Sequence, residues 1–589
     1  MKTMDDLRRQ LAAIDRRGYP ACKSLRGVYD MGGFALSIDH VQGDPFAAPS
    51  QLSVRLTAAQ AGIPGELVDA GHRRVVVEDR LIRRFSREVG RVSHIVRGSG
   101  KSGLIATSRP GPEVLPRSAC EVAASGGLIL RFEAGFPAHG RTVDARGLER
   151  MLCELVPVCV RRALVFDTAA LAELTAAVEL ADDQLAIRRE LERRGLVAFV
   201  ADGSVLPRAS GASSRPMEGA LPFASPASLR VVLDLPHRGP TPGMAIKRGI
   251  TLIVGGGYHG KSTLLKALQD GVYDHVAGDG REFVICDAGA VKLRAEDGRP
   301  VHAVDISPFI GELPDGRDTG AFSTSDASGS TSQAAALVEA YEAGSRVLLV
   351  DEDTSATNFM VRDALMEAVV ARDCEPITPF VERLRDLWEQ ADVSCVIVAG
   401  SSGAFFPVAD TVIQMDRYEA RDITDRAHEA CRSWGVEAAA APTPLAMPDA
   451  PRSVPSVVAA TVSDAGGRAE RGRGAGRGRS RAAGRQPRIK VGVRGLDELQ
   501  VGGGMTDMRL VEQLVDPEQT AALAQLVRAA GARGLLDGSR TLVEAVAAVY
   551  DYLREHGWSA LAEHGEAGCG LALPRPQELF ACLNRWRPA

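Results

Sequence analysis

One stretch of the chain combines glycines, a lysine and two hydroxyl residues at a spacing that suits phosphate binding. It runs Gly-Gly-Gly-Tyr-His-Gly-Lys-Ser-Thr over residues 255–263, and it fits the pattern G-x-x-x-x-G-K-[ST]. Glycines let backbone N–H groups turn toward an anion, Lys261 would reach the β- and γ-phosphates, and Ser262 would ligate Mg²⁺. An apolar run at 250–254 precedes the loop and a helical pattern at 263–268 follows it. These features predict an ATP and Mg²⁺ site, and they disfavour a chance glycine-rich turn.

A second segment places two carboxylates at the end of an apolar run. Residues 347–352 are Val-Leu-Leu-Val-Asp-Glu, the pattern of a buried strand that ends in acidic residues. Asp351 would hold Mg²⁺, directly or through water, and Glu352 would polarise the attacking water as the catalytic general base. The alternative is a strand that ends at an acidic surface turn, which the nearby phosphate-loop pattern makes less favoured.

A third segment joins small hydroxyl residues and glycine at the start of a predicted helix. It comprises Ser328, Gly329, Ser330, Thr331, Ser332 and Gln333, and Ser328 lies 23 residues before Asp351 (351 minus 328). ABC-type ATPases carry a signature of this form, one helix upstream of the acidic strand, and it contacts the γ-phosphate on the opposite nucleotide-binding domain. A helix N-terminus offers N–H groups and a partial positive charge for that task. The chain has one such signature and one phosphate loop, which predicts a homodimer; the alternative is an ordinary capped loop.

The order of apolar runs predicts a parallel sheet with helices packed on it. Four runs, at 250–254, 283–286, 347–350 and 395–398, alternate with helical patterns. From about residue 436 the periodicity disappears in Ala/Pro-rich and then Gly/Arg-rich sequence. The predicted domains are an N-terminal α+β domain over 1–235, an ATPase core over 236–435, a disordered linker over 436–486 and a C-terminal domain over 487–589.

Composition excludes several classes of protein. The 589 residues are 45% hydrophobic and 25% charged, the balance of a soluble globular protein. Neither an apolar stretch long enough for a membrane span nor an N-terminal signal sequence is present. Ten cysteines without a CxxC pair argue against a disulfide scaffold or a zinc site. We therefore expect a cytoplasmic protein without a membrane partner.

The Gly/Arg-rich tract is the candidate for nucleic-acid contact. Between residues 464 and 490 it has nine basic and two acidic residues, a local charge of +7 (9 minus 2), in a chain of net charge −5. A mobile basic tether could grip phosphate backbones without reading sequence. The alternative is a solvated linker in a chain that uses 62 Arg and only 8 Lys. The candidate contacts are Arg471, Arg473, Arg477, Arg479 and Arg481.

The segment Gly98-Ser99-Gly100-Lys101-Ser102 resembles the tail of a second phosphate loop. A strand predicted at 92–96 would precede it, but Ile95 occupies the position of the first glycine. Lys101 is a further candidate for phosphate or nucleic-acid contact; a flexible Gly/Ser turn is the alternative.

Several segments together resemble one family. Residues 255–263, 327–335 and 351–358 are similar to those of the predicted ATPases of the ABC class. The resemblance extends to stretches at both ends of the chain, at 40–46, 98–103, 200–208, 511–516 and 584–587. It implies an N-terminal domain, an ABC ATPase core, a C-terminal domain and, in some members, RNA binding. The predicted fold class is thus α/β: a P-loop NTPase core of ABC type, with an α+β N-terminal domain and a small, mostly helical C-terminal domain.

The chain departs from ordinary ABC transporter ATPases in two places. Their switch histidine follows the strand after the acidic pair, whereas residues 399–403 here are Ala-Gly-Ser-Ser-Gly. A hydroxyl or backbone group could sense the γ-phosphate instead, or hydrolysis could be slow. Their Q-loop glutamine is also missing, and Asp305 or Ser307 is the candidate replacement.

Three functions follow from these patterns. The favoured one is an ATPase that couples Mg-ATP hydrolysis to nucleic-acid binding, RNA rather than DNA, by a homodimer. A nucleotide-gated scaffold with little hydrolysis is the first alternative, since the switch histidine and the Q-loop glutamine are absent. An ABC transporter ATPase subunit is the less favoured alternative, because no membrane span is present.

Overall fold

The computed structural model describes residues 1–211, 213–438, 440–441, 443–449, 451–462, 489–562 and 567–588. The chain forms two compact units. The first unit comprises residues 1–185 and 555–573, and the second comprises residues 186–554 and 574–589. In the described residues no helix is long and apolar enough to cross a membrane.

A mixed sheet with helices packed on it forms the first unit. Its central pairing is antiparallel, between strands Ser50–Leu56 and Leu128–Ala134. The sheet order is Lys2–Thr3, Gly27–Asp30, Ala35–His40, Ser50–Leu56, Leu128–Ala134 and Ile105–Ala106, and Cys120–Val122 pairs with Leu128–Ala134. Shorter strands are Glu113–Val114, Ala138–His139 and Thr142–Val143. The α-helices are Met4–Ile14, Ala58–Ala61, Gly71–Val92, Ala145–Glu149 and Val156–Leu164, with 3₁₀ turns Tyr19–Leu25, Gly65–Leu67 and Gly557–Leu561 and a π-helical turn Arg150–Leu155.

Helix Gly71–Val92 shows how the sequence sets this packing. Its apolar residues recur at helical spacing and are buried, among them Leu81, Phe85 and Val89. The Phe85 ring lies 5.6 Å from the Phe132 ring of the sheet. The helix ends at Val92, so the predicted strand at 92–96 is wrong: an apolar run this short does not distinguish a strand from the last turn of a buried helix.

The second unit contains the predicted parallel sheet. Its order is Val291–Leu293, Val347–Asp351, Ser394–Val398, Ile250–Val254, Thr411–Asp416 and Glu419–Asp422, and only the last strand is antiparallel to its neighbour. The central strands are mostly apolar and buried, as is typical of a parallel sheet covered by helices on both faces. The main helices of this core are Lys261–Asp270, Gly329–Glu342, Phe380–Ala391 and Thr424–Trp434, with the long helix Thr168–Arg194 leading into the unit.

A separate antiparallel sheet corrects two predictions. Its order is Arg230–Leu235, Gly239–Lys247, Leu196–Ala201 and Val284–Cys286. The predicted strand at 283–286 therefore lies outside the parallel sheet, because an apolar run reports burial and not the direction of its partner. Since Leu196–Ala201 pairs with strands of the second unit, the boundary between the units falls within Thr168–Arg194 and not near residue 235.

Two other segments differ from the sequence prediction. The helix predicted at 361–372 is broken into Thr357–Met360, Ala364–Val369 and a 3₁₀ turn, Arg372–Cys374. The break has a local cause: Val361 is extended, and the Asp363 side chain accepts hydrogen bonds from two N–H groups to start a new helix. Residues 451–462 of the predicted linker are ordered, because Val454, Val458 and Val462 are buried. Residues 463–488 lie outside the described residues.

The C-terminal part has a four-stranded sheet and, as predicted, is mostly helical. The sheet order is Val491–Arg494, Glu498–Val501, Gly504–Asp507 and Trp586–Pro588. Its helices are Pro517–Ala532, Leu542–His556 and Pro576–Asn584. The remaining described strands of the second unit are Asp274–His275 and the hairpin Arg299–Val304 with Phe322–Ala327.

Candidate nucleotide-binding site

The phosphate loop lies at the carboxyl end of the central strand Ile250–Val254, as the sequence predicts. Two of its glycines are required by geometry. Gly255 has φ +142°, and a Cβ there would lie 2.2 Å from the Met415 carbonyl oxygen. Gly260 has φ +100°, and its Cβ would lie 2.8 Å from the Tyr418 ring. A side chain would displace the Met415 backbone at the first position and the Tyr418 ring at the second, so the loop conformation follows from the glycine pattern.

Lys261 begins the helix that follows the loop, Lys261–Asp270. Its Nζ atom donates hydrogen bonds to the carbonyl oxygens of Gly255, at 2.7 Å, and Gly256, at 3.0 Å. The ammonium group therefore lies across the mouth of the loop. Gly256, Gly257, Tyr258 and Ser262 are exposed there, and His259 and Thr263 are half-buried. A lysine held at a helix N-terminus, below an open ring of backbone, provides two sources of positive potential for a phosphate chain.

Glu352 is held by the loop that follows the neighbouring strand Ser394–Val398. Its carboxylate accepts hydrogen bonds from Gly400 N at 2.6 Å, Ser401 N at 3.1 Å and Ser401 Oγ at 2.5 Å. Burial acts to raise the pKa of Glu352, but the hydrogen bonds from Ser401 and Gly400 outweigh it, and the pKa lies below its ordinary value. Glu352 is therefore ionised at neutral pH, which is the state that the predicted role of general base requires.

Gly400 also brings this loop close to the phosphate loop. A Cβ built on Gly400 would have the Lys261 Nζ atom as its nearest neighbour, at 3.8 Å. Glu352, Gly400 and Lys261 thus converge on one point, although they come from three neighbouring strands. Here the structure places a serine hydroxyl and two N–H groups on Glu352, in the segment that lacks a histidine. The sequence predicts that a hydroxyl or backbone group senses the γ-phosphate in this segment; in the structure the Ser401 hydroxyl and the N–H groups of Gly400 and Ser401 contact Glu352, and phosphate sensing stays a prediction.

Asp351 is the candidate metal ligand from the acidic strand. Asp351 is buried, with 7% of the residue exposed, and its side chain accepts a long hydrogen bond, 3.3 Å, from Asp353 N. The described residues contain no group of three or more His, Cys, Asp or Glu side chains that could enclose a metal ion. One carboxylate and one hydroxyl, from Ser262, fit Mg²⁺ better than other metals, since Mg²⁺ keeps waters and takes its remaining ligands from phosphates.

The predicted signature segment divides into an outer and an inner part. Ser328 is the exposed N-cap of helix Gly329–Glu342, and Gly329 is half-exposed. Ser330 and Thr331 are each 8% exposed. Ser332 and Gln333 are buried and engaged within their own chain: Ser332 Oγ accepts from Glu296 N at 2.9 Å. The outer part, Ser328 and Gly329, is the part of the segment that a ligand or a second chain can reach.

Gln333 connects the signature helix to the segment after Glu352. Its Oε1 atom accepts from Ala356 N at 2.9 Å, and its Nε2 atom donates to Ser355 Oγ at 3.0 Å. Ser355 Oγ in turn donates to the Asp351 carbonyl oxygen at 2.8 Å. A shift of the signature helix would therefore be transmitted to the backbone of the acidic strand.

Two further groups of candidate residues show no contact with this site in the part of the chain that the structure describes. The Asp305 carboxylate accepts from Ser307 N at 3.0 Å and Ser307 Oγ at 2.6 Å, a local turn. Among the described residues, the structure shows no hydrogen bond from this turn to Glu352. The arginines at 471, 473, 477, 479 and 481 lie outside the described residues.

The loop at 98–102 belongs to the first unit and lacks the surroundings of a phosphate loop. A helix precedes it, and the short strand Ile105–Ala106 follows it, so the turn lacks the preceding strand and the following helix of a phosphate loop. Ser102 is buried and its hydroxyl accepts from Ala138 N at 3.1 Å. Lys101 is exposed.

The C-terminal segments singled out by resemblance attach this part of the chain to the ATPase core. Gln513 Oε1 accepts from Lys292 N at 3.1 Å, and its Nε2 atom donates to the Ala290 carbonyl oxygen at 3.0 Å. Arg585 forms a buried ion pair with Glu296, with Nε 3.0 Å from Oε2. No spacing rule identifies such contacts, because the partners lie more than 200 residues apart.

Comparison with known proteins gives three matches to family models, in chain order. Residues 4–167 match the N-terminal domain of ATPases of the ABC class, residues 170–447 match the ABC ATPase P-loop domain, and residues 490–589 match the MRB1590 C-terminal domain. These are the three parts that the resemblance implies.

Two individual proteins are also similar. "Uncharacterized protein MJ1628" of Methanocaldococcus jannaschii is 29% identical over 249 residues, 41% of this chain and 54% of the relative, so the chain spans about half the length of that relative. The structure of cbiO1 from Clostridium perfringens, part of the ABC transporter complex cbiONQ, covers 38% of this chain and 87% of its own, at 13% identity and a TM-score of 0.23. The three family models cover most of the chain, and their order matches the predicted layout. The chain belongs to the family of ATPases of the ABC class.

Proposed function

We propose that the chain binds Mg-ATP at residues 255–263 and hydrolyses it with Glu352 as general base. The observation that carries the proposal is the convergence of Glu352, Gly400 and Lys261. A γ-phosphate bound by Lys261 would lie next to a carboxylate that is ionised and fixed in orientation. Positioning and charge stabilisation are the main contributions a protein makes to phosphoryl transfer.

The residues have distinct tasks in this reaction. Lys261 and the loop N–H groups neutralise the phosphates, and Ser262 and Asp351 would hold Mg²⁺, which supplies charge to the β- and γ-oxygens. Glu352 orients a water and takes its proton as the water oxygen bonds to the γ-phosphorus. The bond from that phosphorus to the β,γ-bridging oxygen breaks, and ADP and phosphate leave. Ser401 keeps the Glu352 carboxylate aimed during this step.

Two variants separate binding from chemistry. Lys261→Ala removes the charge on the phosphates, so we expect the Kd for ATP to rise strongly. Glu352→Gln keeps size and hydrogen bonding but removes the base, so we expect ATP binding near the wild-type level and slow turnover. A Glu352→Gln variant that hydrolyses ATP at the wild-type rate contradicts the assignment. If the wild type binds ATP and does not hydrolyse it, the nucleotide-gated scaffold is the better description.

The second part of the proposal is an ATP-dependent homodimer. The signature residues Ser328 to Ser330, of which Ser328 is exposed, would bind the γ-phosphate held by an identical chain, and two-fold symmetry would create two equal sites. When this interface closes, the hydrogen bonds of Gln333 would transmit the movement of the signature helix to the strand that ends at Asp351. Sedimentation of Glu352→Gln should show more dimer with Mg-ATP than without it, and Ser328→Arg should abolish the difference. A Glu352→Gln protein that stays monomeric at micromolar concentration with Mg-ATP contradicts this part.

The third part is nucleic-acid binding, RNA rather than DNA, in the cytoplasm. Its support is the charge of +7 between residues 464 and 490 (nine basic minus two acidic residues) and the exposed Lys101. Deleting residues 466–488 should weaken binding of single-stranded RNA and reduce the slope of log K against log salt by about 0.7 for each phosphate that the shortened protein no longer neutralises. ATP hydrolysis without RNA should not change. Equal affinity and slope in both proteins would assign the tract a tethering role only.

A further inference from the structure

The hairpin beside the phosphate loop has an unusual turn. Strands Thr411–Asp416 and Glu419–Asp422 pair through Asp416 and Glu419, which leaves Arg417 and Tyr418 as a two-residue turn. Both have positive φ, +52° and +72°. Such turns strongly prefer Asn and Gly, because a side chain makes this conformation costly. Two long side chains at these positions are a strained arrangement, and strain of this kind concentrates at functional sites.

Backbone hydrogen bonds fix this turn to the phosphate loop. Tyr418 N donates to the His259 carbonyl oxygen at 3.0 Å, and Arg417 N donates to His259 Nδ1 at 3.1 Å. The Tyr418 ring lies against Gly260, where any side chain would collide with it. Tyr418 is nevertheless 48% exposed. The turn backbone is thus fixed at the rim of the loop, and it carries a large aromatic residue about half of whose surface is open to solvent.

The sheet order shows which end of a nucleotide would reach this ring. The groups that act on the γ-phosphate, Glu352 and Gly400, follow strands Val347–Asp351 and Ser394–Val398, on one side of the loop strand. Thr411–Asp416 is the neighbour on the other side, with Val254 paired to Gln414. If the γ-phosphate of a bound nucleoside triphosphate faces Glu352, its base lies on the side of Thr411–Asp416.

We propose that Tyr418 is the platform on which the base of the bound nucleoside triphosphate stacks. The proposal rests on the nucleotide site proposed above and extends it to a contact that the phosphate-loop pattern does not include. Every base has a π face, and stacking on an aromatic side chain contributes to binding without a specific hydrogen bond. The strained turn and its hydrogen bonds to His259 hold the ring in place before the nucleotide arrives, which limits the entropy lost on binding.

Comparing ATP with a ligand that has no base tests this assignment. The Kd values of Mg-ATP and of magnesium tripolyphosphate are measured by calorimetry for the wild type, Tyr418→Ala, Tyr418→Phe and Trp434→Ala. We expect Tyr418→Ala to weaken ATP about tenfold, within the range of one base–aromatic stacking interaction, and to leave tripolyphosphate within about twofold. Tyr418→Phe retains the ring and should bind ATP nearly as the wild type does. Trp434 is 85% exposed at the end of another helix, so Trp434→Ala controls for loss of an exposed aromatic residue.

The outcomes distinguish this proposal from the one on which it rests. If Tyr418→Ala weakens ATP and tripolyphosphate equally, the ring only supports Gly260 and the base platform is refuted. Unchanged ATP affinity in Tyr418→Ala refutes it as well. If the wild type binds neither ligand while Tyr418→Ala is folded like the wild type, the nucleotide site itself is wrong.

Discussion

The hydrogen bond from Ser401 to Glu352 provides a quantitative test of the proposed mechanism. Ser401→Ala removes the 2.5 Å contact from Ser401 Oγ and leaves the N–H donors of Gly400 and Ser401 in place. A hydrogen bond to a charged group contributes about 1.5–3 kcal/mol. Two of the three contacts remain, so we take the low end of that range and expect kcat to fall about tenfold. The KM for ATP should change less than about twofold, because Ser401 does not bind the phosphates in this arrangement.

Two further variants make this test specific. Ser401→Thr keeps the hydroxyl and should restore most of kcat. Ser402→Ala changes the next residue, whose hydroxyl accepts from Ala404 N, and should leave kcat near the wild-type value. In a Glu352→Gln background, Ser401→Ala should have almost no additional effect, since the carboxylate that Ser401 positions is gone. Steady-state phosphate release at saturating ATP measures all of these. Fully additive losses in the double variant would refute the idea that Ser401 acts through Glu352.

Two stability predictions concern contacts outside the nucleotide site. Arg585→Ala leaves Glu296 buried without its ion-pair partner, so we expect the free energy of unfolding to fall by about 3–5 kcal/mol and the thermal midpoint to fall with it. The control is Arg554→Ala, at a side chain 77% exposed, which should have little effect. Equal midpoints for the two variants would contradict the role of this pair. Burial raises the pKa of Glu78 from 4.5 to about 8, partly offset by the hydrogen bond from Val122 N. The folded state then binds more protons than the unfolded state between these values, so stability of the first unit falls as the pH rises from 4.5 to 8, at most by about 1.4 kcal/mol per unit. Glu78→Gln should flatten this dependence in thermal melts from pH 5 to 8, and Glu555→Gln, at an exposed position, should not; a wild-type midpoint independent of pH would refute the shift.

The parts of the site that sequence reasoning found are those encoded by consecutive residues. The glycine loop, its lysine and the acidic pair lie on short segments whose chemistry depends on local spacing, and the strands before them are continuous apolar runs. The structure places the predicted strands 250–254 and 347–350 in the parallel sheet.

Contacts that depend on the pairing between strands could not be predicted from the sequence. Asp351 pairs with Val398, and this register brings residues 400 and 401 to Glu352 across 48 positions of chain. In the same way, the pairing of Val254 with Gln414 brings Tyr418 to Gly260. The strand at 284–286 shows the converse: its residues predict burial, but nothing local determines that its partner is antiparallel.

The central claim is that Lys261 and Glu352 lie close enough together to bind ATP and to cleave it. The most direct test measures bound ATP and released phosphate in the same rapid-mixing experiment, for the wild type and Glu352→Gln. We predict that both proteins bind Mg-ATP with similar Kd, and that the wild type releases phosphate at least about a hundredfold faster, as expected for loss of a general base. Equal release from the two proteins, or full ATP affinity in Lys261→Ala measured alongside them, would contradict the account.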